Sequence, residues 1–276
     1  MHSTIIILAS LLIAYSMVIV LVFLGQRKLI YHPPSEKPMN SYVQTVGLRK
    51  WLTQDGTFRG YLSVHPRADS KGTIVLFHGN AGSAADRCYY VQALEPLGFT
   101  VVLPEYPGYA GRPGQPGESQ FVSDAVVVLQ QAHESFGGPL YVWGESLGCG
   151  VAAAVVAHTD EPVAGIALLM PWDTLPDLAQ TLYWYLPAKW FVRDRFDSIQ
   201  HLDDFKGPIA VVISENDEVI TTKHSLRLYN ALTTQKRLWT FSGATHNNWP
   251  SNANEPWWTE VIHFLSGEDP KNAGPD

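Results

Sequence analysis

The chain has 276 residues, 46% of them hydrophobic and 16% charged, with a formal net charge of -7. That composition suits a folded domain with a sizeable core and excludes a wholly disordered chain. The acidic balance and the lack of a basic run argue against a nucleic-acid partner.

In chain order, the first feature is TIIILASLLIAYSMVIVLVFL, residues 4–24, which contains no Asp, Glu, Lys, Arg or His. As a helix it would reach about 30 Å, the depth of a bilayer's hydrocarbon core. A cleaved signal peptide calls for a basic leader, a shorter apolar run and a small-residue cleavage site, none of which is present. A buried core helix would normally show a polar face. Residues 4–24 are therefore expected to be a retained membrane anchor whose partner is the lipid bilayer. Arg27 and Lys28 follow it, and only the terminal amine and His2 precede it. The positive-inside rule then places the remainder in the cytoplasm.

Residues 25–40, which include HPPSEKP, read as a linker, and 41–266 read as one α/β domain. YVQTVGL and RGYLSVHP look like antiparallel leading strands joined near Asp55-Gly56. Short apolar β-rich runs then alternate with helical stretches. Strands are expected at 72–80, 99–106, 138–146, 163–171 and 208–217, with a strand and loop at 236–246; helices at 118–136, 147–158, 222–233 and 255–265. In the first of these helices, Phe121, Ala125, Val128, Leu129 and Ala132 share one face. Such alternation implies a mostly parallel sheet covered on both faces. Residues 171–206 interrupt it with an aromatic-rich stretch, read as a small cap over the crevice at the strands' carboxyl ends. Pro176 can open a helix there and Pro187 can end it. Residues 267–276 read as a disordered tail. The spacing of Cys88 and Cys149 asks for no disulfide, and Cys149 reads as buried packing.

The chemistry centres on YVWGESLGCG, residues 141–150. The pentapeptide G-x-S-x-G is weak alone, but here a strand runs into the serine and a small-residue helix leaves it. Such a turn holds Ser146 in strained geometry with its hydroxyl above the sheet edge. Side chains at Gly144 and Gly148 would collide across it. A serine hydroxyl needs a base. Of ten histidines, His246 in SGATHNNW follows the last strand at the same sheet edge. His263, His158 and His133 lie within or late in helices, and His78 is better suited to holding its loop by hydrogen bonds. The histidine needs an orienting acid. Asp217 in SENDEVI suits by order and spacing, with Asp173 as the competitor. The oxyanion hole is expected from the amides of Leu147 and of Asn80 in FHGNAGS. That glycine loop lacks both the P-loop and the G-x-G-x-x-G patterns. The substrate pocket is expected to include Tyr106, Trp172, Tyr183 and Trp184.

HGNAG, GESLG, NDEVI and GATHNN, in that order, resemble the α/β-hydrolase superfamily. More narrowly, the anchor running into RKLIYHP, together with RDRFDS, resembles its membrane-anchored bud-emergence-homologue branch. The resemblance implies an eight-stranded-type hydrolase sheet, with Ser146 as nucleophile, His246 as general base and acid, and Asp217 as orienter. It implies acyl transfer to water, with no metal and no cofactor. The loop PEYPGYAGRPGQPGE departs from the family, carrying Pro107 and an extra Ala110. The aromatic cap and the anchor together suggest a lipophilic acyl ester or lipid delivered laterally from the bilayer. Thioester or amide cleavage would use the same residues, and a non-catalytic scaffold on a hydrolase fold is the rival from another class.

Overall fold

A computed structural model describes residues 2–65 and 69–268. The expected tail therefore lies, from residue 269 on, outside the described residues. Helix α1 (His2–Ile30) opens the chain and is long and apolar enough to cross a membrane. It continues six residues beyond the apolar run, so the first part of the expected linker is helical. The cause is packing: Gln26 is buried, and its side chain donates to the Phe191 carbonyl at 3.2 Å and accepts from the Arg193 amide at 2.8 Å. No proline interrupts the helix before Pro33.

The next segment also differs from expectation. YVQTVGL forms a short helix, α2 (Asn40–Thr45), in place of most of a strand. Only Val43 of that helix is buried, and Gly47 turns the chain with φ +77°. There is thus no long alternating face for a sheet to bury. The leading hairpin is instead β1 (Leu48–Leu52) with β2 (Phe58–Ser63).

From there the alternation is regular. β3 (Thr73–Phe77) leads through a 3-10 turn to α3 (Cys88–Leu94) and β4 (Thr100–Pro104). Then come α4 (Glu118–Phe136), β5 (Leu140–Glu145), α5 (Leu147–His158) and β6 (Val163–Leu169). The cap follows as α6 (Leu175–Leu182), α7 (Ala188–Phe191) and α8 (Ser198–Leu202). Last are β7 (Ile209–Ser214), α9 (Thr222–Ala231), β8 (Lys236–Phe241) and α10 (Pro256–Ser266). In the cap, Thr174 caps α6 by accepting from the Asp177 amide at 3.1 Å, with Pro176 in the first turn.

The sheet has the order β1-β2-β4-β3-β5-β6-β7-β8. β1, β2 and β4 pair antiparallel, and β4 through β8 form a parallel array. Strand residues alternate between two cores. Val75, Phe77, Val142, Ile166 and Val211 face α4 and α5, whereas Ile74, Leu76, Trp143, Ala167 and Val212 face α3 and α10. The five α4 residues with helical spacing are the five that are buried. Each large one contributes about 1.5–3 kcal/mol by leaving water, so Leu129→Ala would cost about 2–5 kcal/mol. After β3 the chain winds one way to β4, and then returns to place β5 on the other side of β3. In open α/β sheets such a reversal opens a ligand crevice beyond the strands' carboxyl ends. The loops leaving β3 and β5 carry Asn80 and Ser146.

Candidate active site

Ser146 occupies the one-residue turn between β5 and α5, with φ 51° and ψ -113°. A non-glycine residue there stores about 1–3 kcal/mol of strain. The glycines on either side are obligatory for close approach. A Cβ on Gly144 would sit 2.5 Å from the Gly148 oxygen, and one on Gly148 would sit 1.9 Å from the Phe77 oxygen. Leu147 begins α5, so its amide is among the helix donors without an intrahelical acceptor.

Ser146 Oγ lies 2.9 Å from His246 Nε2, and His246 Nδ1 lies 2.8 Å from Asp217 Oδ2. A carboxylate only accepts, so Nδ1–H donates to Asp217 and Nε2 is free to accept from the serine hydroxyl. Asp217 is itself buried and fixed, because its Oδ1 accepts from the amides of Val219 at 2.9 Å and Ile220 at 2.7 Å. The neighbouring acids hold backbone: Glu218 accepts from the His246 amide at 3.2 Å, and Glu215 from the Gly243 amide at 2.8 Å. Asp173 is fully buried but binds elsewhere. It contacts His224 Nδ1 at 2.8 Å and Arg227 at 3.1 Å, while His224 Nε2 meets Thr181 Oγ1 at 2.9 Å. That cluster ties α6 of the cap to α9.

His78 is fully buried; its Nδ1–H donates to the Gly79 carbonyl at 2.8 Å and its Nε2 meets Glu105 at 3.0 Å. Asn80 follows, with its side-chain oxygen accepting from the His32 amide and the Tyr109 hydroxyl, each at 3.1 Å. Its Nδ2 donates to the Ile30 carbonyl at 2.5 Å.

A cleft of about 640 Å³ opens over Ser146. Gly79, Asn80, Leu147, Trp172, Tyr183 and His246 line it, as do Leu29 and Ile30 from the end of α1 and His32 just after it. Two expected pocket residues lie elsewhere. Tyr106 is buried beneath the loop, its hydroxyl donating to the His78 carbonyl at 2.8 Å and its ring stacked on Phe121. Trp184 points outward and is 78% exposed. Trp172 and Tyr183 remain in the cleft wall.

Sequence reasoning missed a charged cluster beside the serine. Glu145 is buried, with Oε1 3.1 Å from Arg87 Nε, and its Oε2 accepts from Tyr89 at 2.7 Å and Tyr90 at 3.1 Å. Burial alone would raise its pKa, but Arg87 and the two phenols outweigh that and hold the carboxyl below its usual range. Burial, then the carboxylate, pushes the Tyr89 and Tyr90 phenols up, so they remain donors. A Cβ on Gly79 would fall 2.9 Å from Glu145 Oε1, so the cluster supports the loop after β3. The signal was present in the sequence as a single charge in an otherwise apolar strand. Arg87 carried none. Cys88 and Cys149 are free thiols, and burial pushes the Cys149 thiol up.

Comparison with known proteins accords with this architecture. Residues 72–203 match the model of the alpha/beta hydrolase fold family. An uncharacterized protein of Mycobacterium tuberculosis is 30% identical over 241 residues, covering 84% of each chain. The lysophosphatidylserine lipase ABHD12 of Danio rerio is 30% identical over 199 residues, which span 65% of this chain and 50% of that one. Among solved structures, a Pyrococcus furiosus esterase superposes with TM-score 0.63 at 15% identity, covering 86% of this chain and 98% of the esterase. A Paleococcus ferrophilus monoacylglycerol lipase gives TM-score 0.56 at 18% identity, over 75% of this chain and 99% of the lipase. At such identities these structures speak to the fold. With the sheet order, the strained turn and the sequence relatives together, the chain belongs to the α/β-hydrolase family.

Proposed function

We propose that this protein is a membrane-anchored serine hydrolase that cleaves the acyl ester of a lipophilic substrate. The observation that carries the reading is the relay from Ser146 through His246 to Asp217, with links of 2.9 and 2.8 Å, at the floor of the cleft. In the first half-reaction the serine oxygen attacks the ester carbonyl while His246 Nε2 takes its proton. Asp217 stabilises the imidazolium. The amides of Leu147 and Asn80 hold the oxyanion, and His246 then protonates the leaving alcohol. In the second, His246 activates water to release the acyl group from Ser146. The strain at Ser146 supports the assignment, because unfavourable backbone geometry persists where it serves a site.

A lipid substrate is supported by the apolar α1 beside the cleft and by the name of the lysophosphatidylserine lipase relative, half of whose length is matched. RKLIYHP, which brings Ile30 and His32 to the cleft, supports the narrower bud-emergence-homologue placement. Arg27 and Lys28 favour a cytoplasmic domain; a reporter fused after Phe264 that works only outside the cytoplasm would reverse that orientation.

The test is labelling by a fluorophosphonate probe, together with turnover of p-nitrophenyl esters. Wild type is expected to label and Ser146→Ala is not. A wild-type protein that neither labels nor hydrolyses any ester would make the chain a scaffold on a hydrolase fold. Competition among ester, thioester and amide substrates ranks the scissile bond.

A further inference from the structure

Beside the cleft lies a second cavity of about 270 Å³, walled on one side by α1 and on the other by the cap. Val22 and Phe23 contribute from the helix, and Leu186, Ala188 and Phe191 from the cap. It shares Leu29, Ile30, Ala179 and Tyr183 with the cleft over Ser146, so the two spaces adjoin.

The cap runs alongside the anchor for half the helix. Tyr31 donates to Asp194 at 2.8 Å, Gln26 bonds Phe191 and Arg193, Phe23 meets Phe191 edge to face, and Tyr15 donates to the Tyr185 carbonyl at 2.8 Å. Tyr15 stands nine residues before Leu24, the end of the apolar run, or about 14 Å along the axis. A single leaflet's hydrocarbon is about 15 Å deep. If α1 spans a bilayer, the tip of the cap reaches close to its midplane.

The tip is built for that medium. Trp184, Tyr185, Trp190 and Phe191 turn outward, Trp190 being 82% exposed. Its neighbour Phe191 packs against Phe23, at the edge of the apolar run, the depth at which tryptophan gathers in membranes. Exposed backbone in hydrocarbon is costly, and here it finds partners within the protein. Gln180 donates to the Leu186 carbonyl at 2.9 Å and accepts from the Lys189 amide at 3.2 Å, and the Leu186 amide donates to Tyr183. The Lys189 ammonium is paired with Asp177 at 2.5 Å, and Arg193 lies over the Phe23 ring at 4.2 Å.

We infer that the cap tip sinks into the leaflet next to the domain, and that the cavity between cap and α1 holds one acyl chain of a bilayer lipid. The ester then lies over Ser146 while the chain stays in an apolar slot open to the membrane. The inference rests on the serine-hydrolase reading for its catalytic consequence, but not for the depth of the cap.

The full chain is reconstituted into phosphatidylcholine vesicles with mid-chain-brominated acyl groups. Bromine is expected to quench wild-type tryptophan emission, and Trp184→Phe with Trp190→Phe is expected to remove most of the quenched component. Equal quenching in wild type and variant overturns the inference. Ala188→Phe, or Val22→Phe from the opposite wall, is expected to lower the palmitoyl-to-acetyl ester turnover ratio at least about tenfold, the worth of two buried methylenes. An unchanged ratio in both variants overturns it. If wild type hydrolyses nothing, the hydrolase reading fails. Photocrosslinking of a diazirine-bearing palmitate then decides: adducts on α1 and residues 183–192 support the acyl site, and adducts elsewhere refute it.

Discussion

Replacing Gly148 by alanine tests whether the strand-to-helix turn positions Ser146 as the proposed nucleophile. The added Cβ would fall 1.9 Å from the Phe77 oxygen, 2.5 Å from the Phe77 carbonyl carbon and 2.9 Å from the His78 oxygen. All three are backbone atoms, so no side chain can swing aside. Since real Cβ atoms essentially never approach within 3.0 Å, α5 must retreat from β3 by about 1.1 Å. That retreat carries the Leu147 amide away from Asn80 and pulls Ser146 Oγ off its 2.9 Å contact with His246. A misplacement of about 1 Å costs about 10²-fold in rate, and overpacking costs about 1–3 kcal/mol of stability. The assay pairs the second-order rate of fluorophosphonate labelling with the urea midpoint. A wild-type labelling rate in a soluble variant would refute the reasoning, even if the midpoint fell, because the glycine would then serve packing alone.

Asp217→Asn is expected to lower ester turnover by about 10⁴-fold with little change in the urea midpoint. Asp173→Asn should do the reverse, keeping turnover while losing about 3 kcal/mol from its buried pairing with His224; exchange of these outcomes would reassign the acid. Glu145→Gln should cost about 2–4 kcal/mol at pH 7 by leaving Arg87 without its carboxylate. Because the folded-state pKa of Glu145 is depressed, its stabilisation is full above the unfolded value of about 4.3 and vanishes as pH falls through the folded value. Urea midpoints of wild type and variant should therefore draw together as the pH falls below about 4.3, and a gap that does not narrow in acid would contradict the ion-pair account. Tyr31→Phe leaves the buried Asp194 short of one donor and should cost about 1–3 kcal/mol, read by urea unfolding.

The parts legible in the sequence were those governed by a period or a fixed order. The α4 face repeats at helical spacing, and the buried strands read as unbroken apolar runs. The serine, acid and histidine each follow a strand at the same sheet edge. Asn40–Thr45 was misread because six residues are too few for either period to declare itself, and Gly47 rather than any pattern ends the helix. Tyr106 and Trp184 were misassigned for a different reason. Position near a strand's end fixes where a backbone goes but not where a ring turns. The Tyr106 hydroxyl is held by the His78 carbonyl, and Trp184 sits where the cap tip has no protein above it. Arg87 was invisible because its partner Glu145 lies 58 positions away in the chain.

The side chain of Asn80 clasps the last turn of α1 at Ile30 and the strand-like residue His32, while its own backbone belongs to the loop beside the nucleophile. Helix α1 is thus tied directly to that loop. A soluble form cut away after Ile30 would strip that amide of its acceptor and leave the loop to settle on its own. Strain on the helix would reach that loop through two bonds to one side chain, 2.5 Å from Ile30 and 3.1 Å from His32. On the proposed reading, whatever tilts α1 would adjust the loop that holds the oxyanion.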